Sequence, residues 1–309
     1  MKTSVAICTY NGEQFIKEQL DSILNQTKSV DEIVVCDDGS TDSTLKILKN
    51  YKEKFPYIFR IYQNEKTLQS TKNFEKAIAL CSNKIIFLSD QDDIWEKIKV
   101  KTVVNYFESY PEMDVICSDG TIMNEKGKLL NCHFTKWSIP KLLIDHYIEV
   151  NFLDIIAFIE NIATGAGMAF RSHVREKILP IPTKEGFYHD EWIALISAHE
   201  KRFMMIHEKL FQYRVRNNQQ VGGVTYTNND ATKKRLLSLF SLFSEKKTFF
   251  QYKKFLKRLS QSYTKHQTLS TKINNKNALI SKEIVRKSEV LFNHHQKVMK
   301  KNSQSNFLF

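Results

Sequence analysis

Residues 84–95 read KIIFLSDQDDIW: the apolar run Ile85 to Leu88 closes on Ser89 and then on three carboxylates, Asp90, Asp92 and Asp93. A short apolar run with polar ends reads as a buried strand. The pattern recurs four times in the first 120 residues, at SVAICTY (4–10), EIVVCD (32–37), IFRIYQ (58–63) and MDVICSD (113–119). Segments of helical period separate these runs, marked by Phe15, Gln19, Ser22, Ile23 and Gln26 and then by Leu45, Leu48 and Lys49. The alternation predicts an α/β fold, a mostly parallel sheet with helices on both faces, because parallel neighbours need a crossover. In such sheets ligands collect beyond the carboxyl ends of the strands.

Those ends are acidic. Strand one closes on Thr9-Tyr10-Asn11-Gly12, strand two on Asp37-Asp38-Gly39-Ser40, strand four on the acids above, and strand five on Ser118-Asp119-Gly120. Carboxylates so grouped repel one another unless a metal or a hydrogen-bonding ligand compensates. Asp90 and Asp92, one residue apart at a strand tip, point to Mg²⁺ or Mn²⁺, hard cations that take oxygen ligands. The plain alternative is an Asp-rich turn capping the next helix. Asp37 to Asp42 read both as a helix cap and as a reader of a uracil or thymine imide, with Tyr10 as a stacking face. His189-Asp190-Glu191-Trp192 offers a candidate general base at a helix start, where acids are also routine dipole partners. Tyr213-Arg214-Val215-Arg216 opens a basic loop ending at Gly222-Gly223, a solvated turn or a clamp over a diphosphate. Six of the nine glycines (Gly12, Gly39, Gly165, Gly167, Gly222, Gly223) fall in these segments, where backbone turns tightly or approaches a ligand.

The 309 residues, 42% hydrophobic and 26% charged, exclude a mainly disordered chain. The longest apolar run, Ile155 to Ile159, is far below the roughly 18 residues of a spanning helix, and MKTSVAICTYNG turns polar too early for a secretory leader. Five cysteines without a CxxC pair read as free thiols in a reducing compartment, which predicts a cytoplasmic protein. Charge divides the chain: from residue 231 onward 18 Lys and Arg face three acids, a net +15 in a chain of +12, so the rest carries −3. Glycine and proline vanish after Gly223. Both changes predict a domain over 1–225 and a basic helical region over 226–309. In that region Leu236, Leu239, Phe240 and Phe243, then Phe249, Tyr252, Phe255, Leu256 and Leu259, form apolar stripes among lysines. They read as helices resting on an anionic membrane surface, or as a face packed on the protein or on a second copy.

The segments SVAICTYNG, EIVVCDDGSTDST, KNFEKAIALCSNKIIFLSDQDDIW and HDEW resemble family 2 glycosyltransferases of the GT-A fold, over roughly residues 1–225. They most resemble the bacterial branch acting on surface polysaccharides, rhamnosyltransferases included. The resemblance implies that Thr9, Tyr10 and Asn11 line a nucleotide pocket, that Asp38 reads the base, that Asn73 joins the donor contacts and that Asp90 meets the ribose. It implies a Mn²⁺ or Mg²⁺ ion on Asp92 with Asp93 close behind, Arg214 or Arg216 on the diphosphate, and Asp190 as catalytic base. Gly165, Ala166 and Gly167, with Glu191 and Trp192, fall on the acceptor side. Two departures stand out. The family often has glycine where Gln69 stands, and often histidine where Arg216 aligns, and arginine cannot ligate a metal.

The activity implied is metal-dependent, inverting transfer of one sugar, rhamnose or a hexose or N-acetylhexosamine, from a UDP- or dTDP-sugar. The acceptor would be a saccharide or lipid-linked, and the absence of a QxxRW motif favours single transfer over processive synthesis. A nucleotidyltransferase acting on sugar phosphates would more often carry a basic glycine-rich loop near strand one, which TYNGEQ is not. A nucleic-acid binder is prompted by the basic tail but leaves the acid cluster unexplained, and no nucleic-acid partner is expected.

Overall fold

The computed structural model describes every residue except 131, 132, 185, 217–223, 241, 243–245, 247, 273–276 and 306–309. Four runs rich in Val, Ile and Phe become β1 (Thr3–Thr9), β2 (Glu32–Asp37), β3 (Phe59–Gln63) and β4 (Ile85–Ser89), paired in parallel in the order β3-β2-β1-β4. Both faces of β2 and β4 are buried throughout, which is why these strands show no polar alternation. The crossovers are α1 (Ile16–Leu24), α2 (Thr44–Lys54) and α3 (Gln69–Leu80). In α1 the buried residues Ile16, Gln19, Leu20 and Ile23 form the stripe of an amphipathic helix.

The second half of the sheet departs from the parallel plan. After β5 (Ile94–Trp95), α4 (Lys99–Ser109) and β6 (Val115–Met123), the strand β8 (Met168–Arg171) inserts antiparallel between β4 and β6. The long β9 (Phe203–Arg214) runs parallel to β6 and carries β5 on its far edge, completing the order β3-β2-β1-β4-β8-β6-β9-β5. A short pair, β7 (His133–Thr135) with β10 (Thr225–Thr227), stands apart. The result is the expected α/β sheet, mixed rather than all-parallel. One expected tip disappears: β6 continues through Ser118-Asp119-Gly120 to Met123. Asp119 sits buried at a register shift, taking hydrogen bonds from Thr135, Ser138 and the Gly120 amide, so it belongs to the core rather than to the crevice.

Packing divides the chain into two units, Met1–Ser138 with Ala163–Thr227, and Ile139–Ile162 with Asn228–Phe309. The second unit thus takes in a segment that the sequence reading left with the first. It holds α5 (Ile139–Asp145), α6 (Phe152–Asp154) running into a π-turn at Ile155–Ile159, and, further on, three helices. Two short helices of the first unit intervene in chain order, α7 (Arg175–Ile178) and α8 (His189–His199); then follow α9 (Asp230–Phe240), α10 (Phe249–Lys272) and α11 (Ala278–Ser305). Helices α10 and α11 pack along each other. Ser262 donates to the Ala157 carbonyl at 2.6 Å and Lys287 pairs with Asp154 at 2.5 Å, tying the π-turn region to this hairpin.

The apolar stripes of this unit are spent internally. Leu236, Phe240, Tyr252, Phe255, Leu256 and Leu259 are all buried, whereas Phe249 and its neighbour Phe250 are exposed. Phe243 lies outside the described residues. Most of the stripe read as a membrane or dimer face is therefore buried within the chain. Among the described residues no helix is long and apolar enough to cross a membrane.

Candidate active site

The tips of β1, β2 and β4 are stitched together by side chains. Gln91 accepts from the Tyr10 amide at 2.9 Å and donates to the Tyr10 carbonyl at 3.0 Å. A Cβ on Gly12 would lie 2.3 Å from Gln91 Oε1, so glycine is what lets the two loops close. Asn11, at φ 46°, accepts from the Thr41 amide at 2.8 Å, and its own amide donates to Ser40. Tyr10 itself remains 54% exposed, which leaves its ring available for stacking. Thr9, by contrast, is buried with its hydroxyl on Asp37; it supports the pocket floor and does not line it.

Asp37 closes its own turn, accepting from the Gly39 and Ser40 amides and the Ser40 hydroxyl. Asp38 is buried, and its carboxylate accepts from Asn64 Nδ2 and the Leu68 amide at 2.7 Å and from the Gln69 amide at 2.9 Å. Asn64 is held in turn by Asn73 and Lys76. Asn73, buried, donates to the Cys36 carbonyl and accepts from Asn64, so its amide is engaged within the protein. Gln69 sits at φ 63°, the left-handed region that favours glycine. The backbone keeps the conformation although the residue is not glycine.

The β4 tip is organised around charge. Asp90 and Asp92 are half-buried and Asp93 is buried. Burial first, then Asp92 and Asp190, push Asp90 up to about 7. Burial likewise raises Asp93 well above the usual range, with Asp92 and Asp90 adding to it, and raises Asp92 against the pull of Arg216 and Arg214. Asp93 turns inward: one oxygen takes the Arg214 amide and the other, buried, has no partner, as suits a carboxyl held neutral. Beneath lies Lys99, fully buried, its Nζ donating to the Ala166 carbonyl at 2.5 Å and standing 4.0 Å from the Trp95 ring centroid. Burial pulls this lysine down to about 7, opposed by Asp93, Cys117 and Asp90. The sequence reading missed Lys99. Its signal was phase, for it falls in line with the buried Val103 and Phe107 on α4, where a lysine demands a partner.

The two arginines differ. Arg214 is 2% exposed and bonds Glu18 at 2.5 Å, the Asp92 carbonyl at 2.8 Å and the Glu125 carbonyl at 2.8 Å. In this structure its guanidinium is engaged by these three partners. Arg216 keeps 32% exposure and sets Nη2 on Asp92 Oδ2 at 2.5 Å. The rest of the predicted loop, including Asn217, Asn218, Gly222 and Gly223, lies outside the described residues.

Across the crevice stands the start of α8. Asp190 is half-buried and faces the cluster closely enough to help raise Asp90, while Glu191 is buried. Exposure therefore favours Asp190 over Glu191 as the group that meets an incoming hydroxyl. Trp192 is a core residue, 1% exposed, donating to the Ile178 carbonyl at 2.9 Å, so it does not line an acceptor surface. His189, assigned no role from sequence, is buried and stacked on Phe74 with ring centroids 3.9 Å apart; neither ring nitrogen has a protein partner. A Cβ at Gly165 would lie 3.1 Å from His189 Nε2 and 3.8 Å from Asp90 Oδ2. The buried Gly165-Ala166-Gly167 backbone thus runs between donor-side acid and α8.

The expected divalent ion meets an obstacle in these side chains. Its first ligand, Asp92, already carries a guanidinium, and its second, Asp93, points into the core. Among the described residues no group of three or more His, Cys, Asp and Glu is arranged to hold a metal. In this arrangement Arg216 occupies the Asp92 oxygen that an ion would use, and Asp93 is turned toward the Arg214 amide.

Comparison with known proteins bears on this geometry. A glycosyltransferase of Nostoc sp. is 27% identical over 239 residues, covering 75% of this chain and 71% of the relative. A dTDP-rhamnosyl transferase of Shigella flexneri is 42% identical over 104 residues, covering 32% and 36%. Among solved structures, Staphylococcus aureus TarS in complex with UDP-GlcNAc is similar at TM-score 0.57 and 17% identity, covering 98% of this chain and 92% of that one. A Pyrobaculum calidifontis mannosyltransferase in complex with GDP-Man and Mn²⁺ is similar at TM-score 0.52 and 14% identity, covering 98% and 75%. At such identities the structures speak to the GT-A fold. The model of glycosyl transferase family 2 matches residues 4–170, and with more than half of its length so matched this chain belongs to that family.

Proposed function

We propose that the chain moves one sugar from a UDP- or dTDP-sugar to the hydroxyl of a saccharide or lipid-linked acceptor, with inversion, in the assembly of a bacterial surface polysaccharide. The observation that carries the reading is the half-buried Asp190, near enough to the half-buried Asp90 to help raise it, with the exposed Tyr10 tied to Gln91 at the same strand tip. The rhamnosyl preference draws on the Shigella relative, described as a dTDP-rhamnosyl transferase.

In the step proposed, the acceptor oxygen attacks the anomeric carbon as the bond from that carbon to the diphosphate breaks, its electron pair leaving with the phosphate oxygen. The hydroxyl proton passes to the Asp190 carboxylate. Tyr10 stacks on the base and Asp90 meets the ribose, while the buried Gly165–Gly167 backbone passes close beside His189 and Asp90. The Asp38 carboxylate keeps its three protein donors and offers the base only what they leave free. Positive charge facing the leaving group stabilises the transition state most where water is excluded. In this chain that charge comes from Arg216, with Lys99 behind the acids; no step is routed through a divalent ion.

The test is product release. The chain, incubated with UDP- and dTDP-sugars and a saccharide acceptor, should free nucleoside diphosphate in step with glycoside. Release of pyrophosphate would mark a nucleotidyltransferase, and no release with any donor would remove the reading.

A further inference from the structure

The unusual residue in the crevice is Arg216. Its neighbour Arg214 has its guanidinium surrounded by Glu18 and two carbonyls. Arg216 is held differently. One terminal nitrogen rests on Asp92 Oδ2, the plane lies 5.2 Å from the Phe15 ring centroid, and Nε is buried with no partner. A buried N–H without an acceptor costs free energy in the empty protein. It is at odds with a purely structural ion pair, because the fork of a guanidinium ordinarily satisfies both edges. The acceptor that fits is an anion with several oxygens entering from the crevice side. Phe15 itself is 5% exposed and fixed in the core, so the plane of the fork is set before any ligand arrives.

The same contact bears on cations. A divalent ion on Asp92 would stand within a few ångströms of the guanidinium, two like charges on one carboxylate. The guanidinium on Oδ2 therefore disfavours a divalent ion on the same carboxylate.

We propose that Arg216 holds on Asp92 the position of a divalent cation and uses its remaining N–H groups to bind the donor's diphosphate, so that this chain binds nucleoside diphosphates without added metal. The inference rests on the donor reading above and goes beyond it by naming what neutralises the phosphates. Arg216 is then a binding and charge-stabilising residue in direct contact with the leaving group.

Titration calorimetry with UDP and dTDP on the full chain tests this, in EDTA and in Mn²⁺. The wild type should bind with similar affinity in both. Arg216→Met should weaken binding in EDTA by about 10- to 100-fold, the range for losing hydrogen bonds to a charged group, with no change in melting temperature beyond a few degrees. Arg216→His should bind weakly in EDTA and recover in Mn²⁺, and the spin signal of free Mn²⁺ should fall with this variant and not with wild type. Binding by wild type that requires Mn²⁺, or an Arg216→Met variant that binds as wild type does, overturns the inference and leaves the donor reading in place. Absence of binding by wild type to either nucleotide in both conditions overturns the two together.

Discussion

Two acidic turns flank β1, one at the tip of β2 and one at the tip of β4, and the chain answers them in opposite ways. Asp37 is wrapped by Ser40 of its own turn and by the Thr9 hydroxyl, and Asp38 by Asn64 and the Leu68 and Gln69 amides. Asp90, Asp92 and Asp93 receive few such donors, and burial raises all three; their charge is balanced by Lys99 and Arg216. Hydrogen bonds to an ionised carboxylate fix a loop, whereas carboxylates crowded without enough donors leave free energy that a ligand can release. One turn holds the fold and the other is poised for chemistry.

The contrast is broken most sharply at its far wall. Asp190→Asn should lower turnover by about 10³-fold or more, the scale of a lost general base, while UDP or dTDP affinity stays within about twofold. Initial-rate kinetics beside calorimetry read both. Should Glu191→Gln abolish transfer while Asp190→Asn retains it, the base has been assigned one residue early.

Lys99 sharpens the same contrast through stability. Lys99→Met removes the buried Nζ and its bond to the Ala166 carbonyl, and should cost about 2 kcal/mol in urea unfolding, as for leaving a buried acceptor unpaired. The matching change on the β2 side, Lys76→Met, removes only an outer bond to Asn64 and should cost about 1 kcal/mol.

How much of this was legible follows from the range of the interactions. Strands β1 to β4 and the first part of β6 were readable because each carries its signal within its own residues. So was the grouping of acids at strand tips, a matter of topology. The partners were not. The amides that saturate Asp38 come from Leu68 and Gln69, 30 and 31 residues away, and the guanidinium on Asp92 comes from 124 residues away. Asp119 looked like a strand end because nothing in Ser118-Asp119-Gly120 announces that β6 continues through a bulge. In the basic tail, charge suggested an attachment surface; the stripes beneath the lysines turned out to pack on one another. The resemblance supplied the family, and only geometry separated Arg214 from Arg216.

In the second unit the buried histidine His266 gives a pH test. Burial first, and then Lys265, pull it down from 6.5 to about 3, and Ser281 is its hydrogen-bonding neighbour. The unfolded chain takes up this proton first, so the stabilising effect is complete above about 6.5 and drains as pH falls toward 3. Thermal melts followed by circular dichroism should show a lower midpoint at pH 5 than at pH 7.5, and His266→Leu should narrow that gap. The smallest effect belongs to Gln69. Gln69→Gly relieves the left-handed backbone at φ 63° and should raise stability by about 1 kcal/mol or less, visible as a small rise in urea midpoint.

The measurement that bears most directly on the division of labour between the two turns is a paired urea unfolding of Asp38→Asn and Asp92→Asn. Asp38→Asn strips the charge from a carboxylate with three protein donors and should lose about 2–3 kcal/mol. Asp92→Asn relieves crowding among raised carboxylates at the expense of one partly exposed ion pair, and should stay within about 1 kcal/mol of wild type. Equal costs at the two sites, or a larger cost at Asp92, would contradict the account.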